Sequence, residues 1–305
     1  MITASHILTP DTRSIDWRQP INWADPLNDG LVSWWLAVPN HTAGGSTWRD
    51  LCGKNDGTLT NFANVDQAWQ TLGQPGGFGA LGFDGTNDYG EVTHSRSLDI
   101  TAALTVTSWV RFLGEGTGNH VVAAQENAAN LQYALLRFRN SGGGDSHKFA
   151  AGLNTGGWAD YVSNSVLSDN VWYHVAATFD GAYVALYVDG SLSRSIVAGA
   201  STLTSGGSRR MTIGGGDWAH ATGTPGELLY GDISDVRIWD RALTASEIRS
   251  LHDSSQRYYT GLLNRLSRRP VFAPSTGTTV TPSTLSISAA LQGSPPVSSR
   301  TIEVT

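Results

Sequence analysis

The sequence predicts an all-β protein, an antiparallel β-sandwich of jelly-roll type, and three observations carry that expectation. The 305 residues include 35 Gly, and only 15% are Asp, Glu, Lys or Arg. That composition suits short strands joined by tight turns and not long helices. Apolar and polar residues alternate with a period of two in several segments, the period of a strand with one buried face. Two such runs end in Asp-Gly, where glycine supplies the positive φ of a hairpin turn.

Taken in order, residues 1–30 read as a polar N-terminal arm interrupted by Pro10, Pro20 and Pro26. Trp17 and Trp23 within it are expected to dock, either on the domain that follows or on a neighbouring chain. Residues 31–253 read as strand, turn, strand. Leu31–Val38 is a strongly apolar strand ended by Pro39. Along Leu104–Phe112, residues Leu104, Val106, Ser108, Val110 and Phe112 share a face. Trp172–Phe179 runs into Asp180-Gly181, and Ala182–Val188 into Asp189-Gly190. Gly231–Trp239 is the last strand. Thr244 with Glu247 three residues on is a capping box that starts a short helix. Residues 254–270 read as a helical linker, with Tyr259, Leu262, Leu263 and Leu266 at helical spacing and Pro270 as its stop. Residues 271–305 are rich in Ser, Thr and Pro. They carry one strand pattern, Leu285, Ile287 and Leu291 on its apolar side, that must add to a sheet edge or stay disordered.

Composition also excludes function classes. The formal net charge is -6 and no long basic run occurs, which removes the footprint of a nucleic-acid binder. No stretch reaches the roughly 18 apolar residues of a membrane span. Cys52 is the single cysteine, so no intrachain disulfide forms. The N-terminus lacks the cationic start and apolar run of a Sec signal. Residence on a virion surface, or outside the cell after lysis, is therefore expected. Most of the 11 Trp are expected in the core.

Five motifs in order carry a resemblance: Phe83-Asp-Gly-Thr-Asn-Asp-Tyr89, Leu104-Thr-Val-Thr-Ser-Trp-Val110, Trp172-Tyr-His-Val-Ala176, Leu186-Tyr-Val-Asp-Gly190 and Gly231-Asp-Ile-Ser-Asp-Val-Arg-Ile-Trp-Asp-Arg-Ala-Leu243. Over residues 31–253 the chain resembles laminin G-like domains of the concanavalin A-like lectin/glucanase group. The resemblance implies a two-sheet jelly roll used mainly to bind sugars or proteins. The flanks, Ile15-Asp-Trp17, Pro26–Trp35 and Trp48–Leu59, are similar to laminin G-like proteins among tailed-phage structural genes.

Candidate sites follow, each with a plainer reading beside it. Asp50, Asn55, Asp84, Asp88, Asp232 and Asp235 fall where such domains place a structural Ca²⁺, whose six to eight oxygen ligands suit loop carboxylates. The plainer reading is Asp and Asn capping their own turns. Asp232 and Asp235 are an odd number apart and are expected to face opposite ways on a regular strand. Trp158, Tyr161 and Trp218 are candidates for a glycan platform, or for aromatics closing the ends of the sandwich. No catalytic residue is assigned. The strand motif Glu-x-Asp-x-x-Glu of one glucanase group is absent and the Glu residues are scattered. Cys52 and His174 read as packed residues, and Gly214-Gly-Gly216 as a turn. The expected function is a non-enzymatic structural or decorating surface protein of a phage virion, with Trp17, Trp23, Leu285, Ile287 and Leu291 mediating assembly with further copies or other virion proteins. A carbohydrate-binding lectin or adhesin is the alternative, and a glycoside hydrolase the third reading.

Overall fold

The alternation read along Leu104–Phe112 is the seam of the molecule. Leu104, Val106, Val110 and Phe112 join the main core, while Trp109 points the other way and stacks on His252. The computed structural model describes residues 21–37, 45–70, 79–115, 118–126, 131–138, 144–204, 210–216 and 225–254. All lie in the first of two units, Met1–Ser267.

Two large antiparallel sheets face each other. The first runs Ser191–Val197, Tyr183–Val188, Trp172–Phe179, Leu104–Phe112, Tyr230–Trp239, Ala80–Asp84, Trp69–Gln70, with Leu31–Leu36 paired beside the later half of Tyr230–Trp239. The second runs Trp158–Val166, Lys148–Asn154, Leu131–Arg137, His120–Glu126, Arg210–Ile213, Tyr89–Val92, Gly57–Thr60, Thr47–Trp48. Inward-facing side chains of both sheets, among them Trp35, Trp48, Leu81, Tyr133, Phe149 and Phe179, make one contiguous core. Six of the nine described Trp are buried, Trp34, Trp35, Trp48, Trp69, Trp109 and Trp239, so indoles supply much of the packed volume. Among the described residues no helix is long and apolar enough to cross a membrane.

A second apolar layer covers part of the outer face of the first sheet. Ile21, Leu27, Leu31, Trp34, Trp239, Leu243, Ile248 and Leu251 pack together there. Residues 21–30, expected in an arm, thus lie on the sandwich itself. Pro26 does not break structure; it begins a 3-10 turn, Pro26–Asn28, capped by the Asp25 side chain. The Trp239 indole donates to the Leu27 carbonyl at 2.9 Å. The Arg241 guanidinium donates to the carbonyls of Pro26 (3.1 Å) and Asp29 (2.7 Å) and to Glu247 (2.7 Å). Residues 245–254 are helical, and the capping box is present: Glu247 N–H donates to Thr244 Oγ1, and Thr244 N–H to Glu247 Oε2. Trp23 remains 56% exposed. Trp17, Leu285, Ile287 and Leu291 lie outside the described residues, as do the proposed linker beyond 254 and the C-terminal strand pattern.

One expectation fails for a local reason. The register of Tyr230–Trp239 against Leu104–Phe112 pairs Ile233 with Val110 but Asp235 with Trp109, so Ser234 is an extra residue, a β-bulge. The bulge resets the alternation. Asp232, Asp235, Arg237 and Trp239 all take the outer face, and Ile233, Val236 and Ile238 the core. The sequence reading, which put Asp232 and Asp235 on opposite faces, assumed an unbroken period.

A second correction concerns the glycine run. Gly214 is a turn residue with φ +79, but Gly215–Gly216 pairs with Glu227–Leu228 as a two-stranded ribbon. A Cβ at Gly214 would stand 2.3 Å from Phe83 Cε1, whereas one at Gly199 (φ +76) meets nothing within 4 Å. Both positions pay for positive φ; only Gly214 adds a core clash. Gly214→Ala should therefore lower unfolding free energy by about 3 kcal/mol or more, and Gly199→Ala by about 1 kcal/mol, in urea titrations followed by circular dichroism. Equal losses at the two positions would contradict the packing described.

Candidate functional site

The middle strands of the second sheet carry unusually small residues on their outer face. The register sets Asp160, Gly152, Ala134, Ala124, Thr212 and Glu91 in one row across six strands. A neighbouring row holds Val162, Ala150, Leu136 and Val121. Val121, Ala124, Ala134, Leu136 and Ala150 form a buried apolar cluster separate from the main core, with Phe138, Trp158 and Val162 packed against it. Such a floor lets large groups lie flat on the sheet, and Trp158 does so. A Cβ on Gly152 would stand 1.9 Å from Trp158 Cζ2, so glycine is required there. Its indole N–H donates to Asp160 Oδ1 at 2.9 Å. Trp158 and Asp160 share this face because they are two residues apart on one strand.

The ribbon closes another side. A Cβ on Gly216 would meet Val121 Cγ2 at 3.0 Å, so the ribbon backbone rests on the strand His120–Glu126. This places Glu227 beside Asn119, whose amide donates to Glu227 Oε1 (3.1 Å) and Oε2 (3.3 Å). Burial pushes the Glu227 carboxyl up to about 7, with the negative charge of Asp160 adding to the shift against the Asn119 hydrogen bonds. At the far bank Arg210 bridges Glu91 (2.9 Å) and Glu126 (3.2 Å). The face thus offers a half-exposed indole, an exposed carboxylate, and a carboxyl able to donate or accept near neutral pH.

Of the glycan candidates read from sequence, Trp158 belongs to this face. Tyr161 does not: it is buried in the main core and its hydroxyl donates to the Ala198 carbonyl at 2.6 Å. One residue of offset from Asp160 sends it through the sheet. Trp218 lies outside the described residues. Asp160, Asn119 and Glu227 were missed. Asp160 was legible as the i+2 neighbour of Trp158, but the approach of Glu227 to Asn119 depends on the ribbon, which carries no signal in the sequence.

The six oxygen-bearing candidates for calcium fall into three places. Asp50 Oδ1 accepts from the N–H of Trp34 (2.8 Å) and Cys52 (3.0 Å), and Oδ2 from Lys54 (3.2 Å) and Asn55 (3.0 Å). Asn55 holds Ser33 and Ser97. Asp232 is engaged by Gln70 (2.6 Å) and by Arg111 (2.7 Å). Asp235 accepts the Trp109 N–H beside the bulge (3.1 Å) and the Arg237 guanidinium (2.7 Å). Asp84 caps its own turn through Thr86 and Asn87 N–H. Asp88 accepts from Asp84 N–H through Oδ2, but its buried Oδ1 has no hydrogen-bond partner, and burial with the Asp84 charge pushes its carboxyl up to about 6. Among the described residues no three His, Cys, Asp or Glu side chains converge on a metal position. The six do not fit one calcium cage; turn and bulge chemistry accounts for most of them.

Cys52 and His174, the two reactive side chains that the sequence reading took as packed, differ in burial: Cys52 is partly exposed and His174 is buried. Burial, and then the charge of Asp50, push the Cys52 thiol far up, away from the thiolate. His174 is buried against Trp109 and His252, and burial lowers its pKa to about 3.

The laminin G-type family model described as concanavalin A-like lectin/glucanases superfamily matches residues 84–249. The chain is 26% identical over 191 residues to the Rattus norvegicus protein "Sushi, von Willebrand factor type A, EGF and pentraxin domain-containing protein 1". That match covers 59% of this chain and 5% of the rat protein, so the chain spans about one twentieth of its relative. Among solved structures, domain 4 of an extracellular GH43 arabinanase from Geobacillus stearothermophilus, in complex with arabinotriose, matches with TM-score 0.54 and 17% identity over 73% of this chain and 98% of that one. The receptor-binding domain of botulinum neurotoxin mosaic serotype C/D matches with TM-score 0.54 and 14% identity, over 74% and 51%. Trypanosoma rangeli sialidase with sialic acid matches with TM-score 0.51 and 19% identity, over 76% of this chain and 34% of the enzyme. These likenesses show a shared fold.

The electrostatics give a stability signature. A carboxyl raised to about 7 in the folded state and near 4.5 unfolded stabilises the fold below pH 4.5, and that contribution is lost as pH rises through 7. Glu227→Gln should therefore gain stability relative to the wild type on going from pH 5 to pH 8. Urea midpoints of both proteins at the two pH values check this; a difference between them that does not change with pH contradicts the assignment.

Proposed function

The chain belongs to the concanavalin A-like lectin/glucanases superfamily, and from that premise we propose that it is a carbohydrate-binding module holding a glycan against Trp158 on the outer face of its second sheet. The observation that carries this reading is the Trp158–Asp160 pair lying over Gly152, with Glu227 and Asn119 on the same side. A sugar ring presents C–H groups on one face and hydroxyls at its rim. An indole fixed flat on the sheet meets the first; Asp160 and Glu227 accept from, and the protonated Glu227 donates to, the second. The arabinanase domain of the same fold is recorded with arabinotriose, which supports the ligand class without fixing the sugar.

A hydrolytic reading has one observation in its favour, the influence of the Asp160 charge on a Glu227 carboxyl that titrates near neutrality. Display on a phage virion, with further copies or other virion proteins as partners, remains a proposal for where such a module works. Its assembly residues Trp17, Leu285, Ile287 and Leu291 lie outside the described residues.

A glycan array followed by calorimetry on the best oligosaccharide tests the binding reading. Trp158→Ala should weaken affinity at least about tenfold, about 1.4 kcal/mol, in a variant whose circular dichroism and cooperative unfolding show that it is folded at the assay temperature. No glycan bound by the wild type, or equal affinity in the folded variant, overturns it. Product analysis on the same oligosaccharide decides the hydrolytic reading: release of shorter sugars by the wild type and none by Glu227→Gln would establish it.

A further inference from the structure

Three rings meet on the outer face of the first sheet, under the last turns of the helix 245–254. His174 pairs with Trp109 across two strands, and their rings lie 5.4 Å apart. His252, from the helix, stacks on the same indole at 5.6 Å and lies 6.0 Å from the His174 ring. His174 and Trp109 are buried, and neither His174 Nδ1 nor Trp109 Nε1 has a hydrogen-bond partner. An imidazolium donates from both ring nitrogens, so a charged His174 would leave an N–H at Nδ1 unpaired in the interior.

The carboxylates around this ring are engaged elsewhere. Asp189, in the adjoining turn, accepts the His174 main-chain N–H (2.9 Å). On the strand Tyr230–Trp239, Asp235 pairs with Arg237 and Asp232 with Arg111 of Leu104–Phe112, both at 2.7 Å. On the helix, Asp253 meets His252 (3.1 Å). Arg249 and His252 rest against the turn: a Cβ on Gly190 would stand 3.3 Å from Arg249 Cα and 3.1 Å from His252 Cβ. Burial, then the charges of His252 and Arg237, hold the His174 pKa down at about 3, against 6.5.

The two ends of the helix are held differently. At its start Leu243 N–H donates to Thr105 Oγ1 (2.8 Å), and Arg241 joins Glu247 to the carbonyls of Pro26 and Asp29. Its far end rests on the rings and on Gly190. We propose that this helix is an acid-released cover, which opens from its C-terminal end when His174 takes up a proton and bares Trp109 with the apolar layer beside it. A short helix peeled from its support is marginal in water, so the opened turns lose their own hydrogen bonds. The open form, with His174 in water, binds a proton from pH 6.5 downward; the closed form does so only near pH 3. Closure is therefore at full strength above pH 6.5 and is lost as pH falls below it, by about thirtyfold between pH 7.5 and pH 5.

Hydrogen exchange by mass spectrometry on the full chain, each rate divided by that of an unstructured peptide at the same pH, tests the proposal. Protection of amides 250–254 should fall about thirtyfold from pH 7.5 to pH 5 while Leu104–Phe112 stays protected. His174→Phe keeps an aromatic ring and removes the charge, so its helix should be equally protected at both pH values. His252→Gln leaves His174 in place and should keep at least about a tenfold loss. The wild type and this second variant decide the matter even where His174→Phe does not fold. Protection unchanged by pH in the wild type overturns the proposal, as does a loss shared equally by Leu104–Phe112, which would be global unfolding. A loss that survives His174→Phe, or one abolished by His252→Gln, overturns the role given to His174.

Discussion

The strand Tyr230–Trp239 holds the first sheet together, and it works only because Ser234 occupies an extra place. It pairs with Leu104–Phe112 along its length, with Ala80–Asp84 at its start and with Leu31–Leu36 at its end. Without the bulge, the residues beyond it would present Asp235 and Arg237 to the core and Val236 and Ile238 to the outside. Hydrogen bonds from both sides hold the bulge. Ser234 donates to the Gly79 carbonyl (2.7 Å), its own carbonyl accepts from Ala37 N–H (2.7 Å), and Asp235 takes the Trp109 N–H. Leaving any of these groups unpaired in the interior would cost about 1–3 kcal/mol. The neighbouring ion pair of Arg237 with Asp235 then puts the guanidinium 4.0 Å above the Trp34 ring, tying the bulge to the outer apolar layer.

The two outer faces of the sandwich solve opposite problems. On the first sheet large side chains, Trp34, Trp109 and Trp239, call for a covering layer, and the ends of the domain supply it. On the second sheet Gly152, Ala134 and Ala124 leave a low floor on which an indole and a glycine ribbon lie. That floor is covered, with Ala124 and Ala134 buried, and what this face leaves open is its edge, the half-buried Trp158 and the exposed Asp160.

Much of the fold was legible in the sequence, because the features that specify it are local: alternation at Leu104–Phe112, Asp-Gly at Asp180 and Asp189, the cap at Thr244. Each is set by residues within one or two turns of chain. What escaped depends on register or on contacts far apart in sequence. The extra place of Ser234 changed the face of Asp235, and no composition rule marks a bulge. The burial of Tyr161 was within reach, since an odd offset from Asp160 puts it on the other side of the sheet. The pairing of Glu227 with Asn119 was not, because the distance between them in sequence is bridged only by the ribbon. Pro26 reads as a breaker because proline has no N–H to donate within a regular element; at the first residue of a 3-10 turn no such bond is needed, and its fixed φ suits the turn.

The pairing of Leu31–Leu36 with the end of Tyr230–Trp239 has a consequence during synthesis. The partners are roughly two hundred residues apart, and a ribosome adds about 5–20 residues each second, so the first strand waits on the order of 10–40 s for its mate. Throughout that interval Trp34 and Trp35, both buried in the finished domain, have no sheet to enter. Folding is therefore closed from its C-terminal side, and Leu31–Leu36 waits longer for its partner than any other strand of the two sheets.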